Sequence, residues 1–207
     1  EPGLEARFKI AEIHKAGNDM TLYRQELTEI VRVDAAGGAE RTSRTRTLAA
    51  RSALVLAEEV YEEFVAVKLR QPFEASLQEK KQRMDSAIEA MNSLVEYEIG
   101  EMTAAATYYM AETYFDFSRD LTESERPADL EPADLQEYEE SLEAEAFPIE
   151  EKAIHLHEKN LEMMRAGAFN AWIEKSLDRL VDLVPGRYAK RELSDGFIDT
   201  IDSYVYR

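Results

Sequence analysis

The sequence predicts an all-α protein built from antiparallel helix hairpins, and three observations lead to this fold class. Glycine and proline are scarce, with eight and six residues in a chain of 207. The helix-favouring residues Ala, Glu, Leu, Arg and Lys dominate the composition. Apolar residues recur at helical spacing between short breaks, and no segment reads as a credible strand. The apolar fraction of 44% is enough to build a core.

The first two predicted helices are short and are separated by a turn. The first runs from Leu4 to Ala16, and the second runs from Met20 to Val33. Between them, the segment Gly17-Asn18-Asp19 combines a helix stop with an N-cap residue. Ala35-Ala36-Gly37-Gly38 then breaks the chain.

Two long helices form the predicted middle of the chain. One spans Ser43 to Leu69 and is ended by Gln71-Pro72, because the residue before a proline disfavours helix. The next spans Glu74 to Ile99, and Gly100 is expected to close it.

The remaining helices surround an acidic segment. The helix from Met102 to Leu121 is the richest in aromatic residues. Residues 120–151 hold 13 acidic residues and one basic residue, and we expect a loop that becomes helical near Ala133. Helix then continues from Ile149 to Arg165, with a break or kink near Pro148.

The last predicted helix spans Phe169 to Leu183, and Val184-Pro185-Gly186 stops it. We therefore expect one helical domain over residues 1–186, with about three hairpins and a capping helix. Residues 187–207 are expected to be a tail or the start of a further segment.

Composition excludes several functions. A net charge of −18 argues against nucleic acid, whose phosphates need clustered Lys and Arg, and against docking on an anionic membrane. The absence of cysteine excludes disulfides and thiolate chemistry. No apolar run approaches the roughly 20 residues of a membrane-spanning helix, so direct membrane insertion is not expected. Phosphate-loop, serine-hydrolase and zinc-protease motifs are absent, which argues against an enzyme.

The histidines do not predict a metal site. His155 and His157 lie two residues apart, on nearly opposite sides of a helix, so one ion cannot bind both. No histidine follows a glutamate by three positions, as a di-iron bundle requires. No calcium-binding loop pattern is present. We expect no metal and no cofactor.

A short phrase recurs three times in the chain: an apolar residue, Ala, Glu, and then an aromatic residue or His. The copies begin at Ile10, Leu56 and Met110, and their alanines lie 46 and 54 positions apart. Such self-similarity is typical of a repeat protein. The small Ala lets a neighbouring helix approach closely, whereas the Glu lies on a different face of its helix. We expect that second face to carry the function.

The phrase resembles the tetratricopeptide repeat, whose pattern has a period of roughly 34 residues. Ile10-Ala11 and His14 match its Leu-Gly and Tyr positions in a first repeat. Leu56-Ala57 matches a second, and Met110-Ala111 with Tyr114 matches a third. The resemblance covers Leu4 to Pro185. It implies a right-handed α-solenoid of antiparallel hairpins with extended middle helices.

A second resemblance lies in residues 145–153, which read Glu-Ala-Phe-Pro-Ile-Glu-Glu-Lys-Ala. This stretch is similar to the terminal segment of large periplasmic repeat proteins of Gram-negative bacteria, which serve as scaffolds near energised envelope machines. It implies a periplasmic location.

The tetratricopeptide resemblance also implies a binding surface, since the first helix of each pair lines a concave groove in that family. Each repeat offers an apolar residue followed four positions later by a Glu, and two repeats add an aromatic residue three positions further. The predicted groove residues are Phe8, Glu12, Leu54, Glu58, Tyr61, Tyr108, Glu112 and Phe115. Stacked repeats would align the glutamates beside apolar anchors, which suits a protein segment with basic and apolar residues. The alternative is that each Glu is an ordinary solvated helix position.

The sequence therefore predicts a non-catalytic interaction or scaffold module. The alternative is a structural spacer or self-association element of a larger envelope protein, with no groove ligand. The sequence does not decide whether the protein forms a homo-oligomer. Four arginines cluster at the start of the third helix, and they either pair with nearby Glu residues or form a self-association patch: Arg41, Arg44, Arg46 and Arg51. The acidic run 120–151 is either solvated surface or a docking site for a basic partner or a divalent cation.

Overall fold

A computed structural model describes residues 2–189, and within this range the chain forms eight α-helices and no strand. The predicted all-α class is confirmed. The helices are α1 Pro2–Ala16, α2 Met20–Ala36, α3 Ser43–Ala66, α4 Phe73–Val95, α5 Gly100–Thr122, α6 Pro132–Arg165, α7 Ala171–Leu183 and α8 Pro185–Tyr188. A 3₁₀ turn, Gly38–Glu40, lies between α2 and α3. Most of the predicted tail, from residue 190 onward, lies outside the described residues.

Side-chain caps fix the start of three helices. Asp19 accepts a hydrogen bond from the backbone N–H of Leu22 at 3.1 Å, so the predicted N-cap of α2 is present. Thr42 and Thr45 form a reciprocal capping box at the start of α3. Asn170 accepts from two backbone N–H groups in the first turn of α7. Each cap satisfies donors that a helix start leaves without a partner.

Several helix boundaries differ from the sequence-based expectation; α3, for example, ends at Ala66 instead of Leu69. α2 continues through Ala36, since two alanines favour helix more than they break it. Gly100 opens α5 instead of closing α4, because α4 already ends at Val95 and the chain turns through Glu98, whose φ is +54°. α6 runs without a break through Pro148. Pro148 and Ala144 both lie on the exposed side of α6, where water can satisfy the carbonyl that a proline leaves free.

The helices pack in two kinds of contact. Each helix packs against the next along the chain, as antiparallel hairpins require. In addition, the odd-numbered helices contact one another in series, α1 with α3, α3 with α5, and α5 with α7. α5 is central to this arrangement, since it contacts α3, α4, α6 and α7.

Small residues make these close contacts possible. The alanines of the recurring phrase, Ala11, Ala57 and Ala111, are all buried, as the sequence predicted. Ala57 packs with Met91, Leu94 and Ala106, which joins α3, α4 and α5. Three consecutive alanines of α5, residues 104–106, are fully buried, and their short side chains let neighbouring helices approach on several sides.

Within residues 2–189, no helix combines the length and the apolar character needed to cross a membrane.

Candidate functional site

Four aromatic side chains from three helices form a continuous, partly exposed surface, here called the aromatic face. It consists of Tyr61 of α3, Tyr108 and Tyr109 of α5, and Trp172 of α7. The ring centroids lie 5.1 Å apart for Tyr61 and Tyr109, 5.3 Å for Tyr109 and Trp172, and 5.6 Å for Tyr108 and Trp172. These tilted arrangements are the ones that aromatic pairs prefer.

Local structure places Trp172 at this surface. Asn170 accepts hydrogen bonds from the backbone N–H groups of Trp172 and Ile173 at 3.0 and 3.1 Å. This cap fixes the first turn of α7, and the neighbouring Ile173 is buried against α6. Trp172 therefore lies on the side of α7 that faces α5.

The tyrosine hydroxyls are anchored to carboxylates. Tyr109 donates to Glu58 of α3 at 2.9 Å, and Tyr61 donates to Asp116 of α5 at 2.5 Å. Burial and the nearby carboxylates raise the pKa of both phenols far above the ordinary value. Burial, with the charge of Glu112, raises the pKa of Tyr108 to about 12. All three rings therefore stay neutral and keep their O–H donors at physiological pH.

A cation already lies on the aromatic face. The ammonium of Lys175 is 4.0 Å from the centre of the Trp172 ring and 5.7 Å from that of Tyr108. The guanidinium of Arg179, one turn further along α7, lies 4.6 Å from the centre of Phe115. The surface thus has the geometry of a cation–π site.

Beneath the aromatic face, α5 carries an acidic row of Glu112, Asp116 and Asp120, spaced four residues apart on one side of the helix. All three side chains are buried. Each is paired with groups from other elements, since a buried carboxylate without a partner is strongly destabilising. Asp116 accepts from Tyr61 and also pairs with Arg119.

Glu112 joins α5 to α6 and α7. Its Oε1 accepts from Nε of Arg179 at 2.7 Å and lies 3.2 Å from Nε2 of His157. The second contact has the distance of an ion pair but not the angle of a hydrogen bond. Burial alone would raise the pKa of Glu112, but His157 and Arg179 outweigh it and hold the pKa below the ordinary value. The carboxylate therefore remains ionised.

Asp120 joins α5 to α4 through a fully buried lysine. Its Oδ2 lies 2.6 Å from the ammonium of Lys80, and its Oδ1 accepts from the more exposed Lys68 at 3.1 Å. Lys80 also donates to the carbonyls of Phe64 and Val67 at 2.8 and 2.9 Å, at the C-terminal end of α3. Burial lowers the pKa of Lys80, even though Asp120 opposes that shift.

The two histidines that the sequence drew attention to have different environments. His157 is fully buried, with Nδ1 3.3 Å from the hydroxyl of Ser176, whereas His155 is exposed. Asn160 completes this polar cluster by donating to Ser176 at 2.8 Å and to the carbonyl of Ala104 at 3.0 Å. Among residues 2–189, no three metal-ligating side chains come together in a group that could hold an ion.

The eight predicted groove residues fall into separate environments. Glu58, Tyr61 and Tyr108 come together at the aromatic face, and Phe115 lies beside it under Arg179. Glu112 is close by but buried in its ion pair.

The other three predicted residues lie elsewhere. Phe8 packs in the cluster of Leu4 and Ile30, and Leu54 packs against Met91 and its neighbours. Glu12 is exposed on α1. Whether the eight residues bind a partner stays a prediction, but Glu58 and Glu112 are engaged within the chain.

Sequence reasoning missed several residues of this region, namely Lys80, Asp116, Asp120, Trp172, Lys175 and Arg179. A signal for two of them was available, because Glu112, Asp116 and Asp120 recur every four residues in the helix that is richest in aromatic residues. Charged residues at that spacing on the buried side of a helix need partners from neighbouring helices.

No family model, curated protein or solved structure matches this chain. The resemblance to tetratricopeptide repeats therefore depends on the residues of the chain itself.

The Lys80–Asp120 pair gives a first prediction. Lys80→Met should destabilise the protein by about 3–5 kcal/mol, because Asp120 is left buried beside an apolar side chain. Lys68→Met removes the half-exposed partner of the same carboxylate and should cost less than about 1 kcal/mol. Urea unfolding of both variants measures the difference. Equal costs would show that the buried lysine does not hold α4 to α5.

Glu112 gives a prediction about pH. Because its pKa is lowered on folding, its ionised form stabilises the fold above the ordinary glutamate pKa, and this stabilisation is lost as pH falls below it. Glu112→Gln should therefore cost about 1–3 kcal/mol at pH 7 and progressively less below about pH 4. Urea unfolding midpoints measured at pH 7 and below about pH 4 test this prediction. Glu101→Gln, which changes an exposed glutamate on the same helix, is the control. A pH-independent cost would contradict the assignment.

Proposed function

We propose that this chain is a non-catalytic interaction module that binds a protein segment on the aromatic face. The observation that carries the proposal is the contact of four partly exposed aromatic rings contributed by three separate helices. Tyrosine and tryptophan dominate binding hot spots, because they offer large rigid contact areas with a polar group at the edge. A contiguous patch of exposed aromatic side chains on a protein surface typically marks an interaction site.

The helix contacts support a tetratricopeptide-like arrangement. The odd-numbered helices are the first members of their hairpins, and they contact one another in series. In a right-handed solenoid of this kind the same helices would line the concave side, where α3, α5 and α7 contribute the aromatic face. We propose this arrangement as the reason that residues distant in sequence form one surface.

The charges around the face favour a segment with basic and apolar residues. Glu58 accepts a hydrogen bond from Tyr109, and the negative charge of Glu62 lies close enough to help raise the pKa of that phenol. On the α7 side, the negative charge of Asp178 helps to raise the pKa of Tyr108, as do the charges of Glu112 and Asp116. Lys175 and Arg179 offset only part of this negative charge. A net charge of −18 on the whole chain would also steer basic partners toward it.

The proposal predicts which peptides the protein selects. Panning a library of random dodecapeptides on the wild-type protein should enrich sequences that combine Lys or Arg with aromatic or aliphatic residues. Trp172→Ala should weaken the binding of these peptides at least about tenfold, which is typical of a hot-spot residue. Phe147→Ala, which removes an exposed aromatic residue of α6, is the matched control and should leave binding unchanged. Isothermal titration calorimetry gives the dissociation constants.

Two results would contradict the proposal. One is enrichment of no sequence over the input library. The other is a set of enriched peptides that bind Trp172→Ala as tightly as wild type.

A self-association element is the second candidate, and exposed apolar residues favour it. Ile13 of α1 is 68% exposed, and Phe169, just before α7, is 77% exposed. The ends of a helical repeat array usually carry polar surfaces, because they have no neighbour to cover them. We propose that contacts between copies would use these two residues, as in a spacer within a larger periplasmic scaffold.

Self-association predicts a concentration-dependent mass. Sedimentation velocity between about 5 and 500 μM should show dimers or larger species if micromolar contacts form between copies. Ile13→Glu should abolish them, because a charge replaces an apolar contact, whereas Ile10→Ala should only weaken them. A monomer over the whole range would rule out this candidate and leave the binding proposal intact.

A further inference from the structure

We propose that the ring of Trp172 binds the guanidinium of an arginine in the bound segment, and that Lys175 occupies this position until the segment displaces it. The inference rests on the proposed function, because the arginine belongs to the segment that the aromatic face binds. Lys175 is therefore a competitor within the chain, and it lowers the affinity of the face for its partner.

Lys175 covers a ring face that a ligand could otherwise use. Trp172 and Lys175 lie three residues apart on α7, and therefore on the same side of that helix. The ammonium of Lys175 lies over the Trp172 ring, 4.0 Å from its centre. Lys175 is exposed and Trp172 is half-buried. Displacing the ammonium would therefore open the ring face to solvent and to a ligand.

The ring contact holds Lys175 only weakly. Within residues 2–189, the ammonium contacts the rings of Trp172 and Tyr108 and makes no ion pair. A cation–π contact at an exposed position is one of the weaker interactions in a protein. A competing cation with a better fit to the ring can therefore replace this ammonium.

The other cation beside the aromatic face is fixed in place. Arg179 lies over Phe115, but its Nε also donates to Glu112 at 2.7 Å. Glu112 is buried, so moving Arg179 away would leave a buried carboxylate without this partner. Lys175 can move without such a cost, which makes it the one of the two that a ligand displaces.

A guanidinium suits this position better than the ammonium that it replaces. It is planar, so it stacks on the indole while its N–H groups point outward from the edge of the stack. It is also more weakly hydrated than an ammonium, so stacking removes less of its solvation. Carboxylates lie around the face, since Glu58 accepts from Tyr109 and the exposed Asp178 follows Lys175 by three residues. Their charges favour a cation at this ring.

Competition by Lys175 also makes the face more selective. The apparent affinity for a ligand falls with the fraction of molecules in which the ring is open. The ammonium has a high local concentration at the ring, because both side chains belong to one helix. A segment without a cation cannot replace the contact that Lys175 gives up. Segments that carry an arginine are therefore favoured over segments that are only apolar.

The test uses the full chain and n-propylguanidinium, which reproduces the end of an arginine side chain. Its neutral counterpart is n-propylurea. Trp172 is the single tryptophan of the chain, so tryptophan fluorescence reports on this ring alone. Titration at constant ionic strength should change the fluorescence in a saturable way with propylguanidinium, and propylurea should give no such change.

Two substitutions of Lys175 separate competition from a simple effect of charge. Lys175→Gln should tighten the binding of propylguanidinium about two- to fivefold, because the competing contact is lost. Lys175→Arg keeps the charge but supplies a stronger competitor, so it should bind more weakly than wild type. Lys9→Gln, which removes the same charge from an exposed position of α1, is the control and should bind as wild type does.

Three results would overturn the inference. Propylguanidinium could give no saturable change in the Lys175→Gln variant, propylurea could give the same change as propylguanidinium, or Lys175→Arg could bind as tightly as wild type.

The peptides enriched by panning distinguish this inference from the proposed function. Peptides that bind wild type and Lys175→Arg equally well would overturn the inference and leave the proposed function intact. The expected response to propylguanidinium without any enriched peptide would contradict the proposed function and support the guanidinium site on Trp172.

Discussion

The rest of this structure depends on the need to pair the buried acidic row of α5. Glu112, Asp116 and Asp120 lie on one side of the central helix, and burying a lone carboxylate costs far more than a fold of this size can spare. Each acid is therefore met from a different direction. α7 supplies Arg179, α3 supplies Tyr61, and α4 supplies Lys80. Apolar packing holds the helices together, but these pairs determine how the helices around α5 are placed.

The aromatic face is a consequence of the same pairing. Tyr61 reaches Asp116 through its hydroxyl, and this contact places its ring against Tyr109. Arg179 reaches Glu112, which sets the rotation of α7 and brings Trp172 against Tyr108. The buried network is thus the support of the exposed surface. A residue such as Asp116 can affect binding without touching a ligand, because it orients a ring that does.

Most of the fold was predictable from the sequence, because helix spacing, caps and breaks are local properties. The Asp19 cap and the burial of Ala11, Ala57 and Ala111 follow directly from such patterns. The candidate site was less predictable from the sequence, since it depends on contacts between residues that are far apart in the chain. Nothing local distinguishes the fully buried Lys80 from the half-exposed Lys68, and only the packing of α4 on α5 does so. Glu112 shows the same limit, because nothing in its neighbouring sequence indicates that Arg179 of α7 pairs with it in a buried position.

The pairing of α5 also bears on how such an array can change in length. Regular repeat arrays gain or lose units readily, because every interface between neighbours is equivalent. Here the acids of one helix draw partners from the hairpins on both sides, so removing or duplicating a hairpin next to α5 would leave a buried charge without its counterion. Engineering by repeat insertion would have to treat α3 to α7 as one indivisible unit.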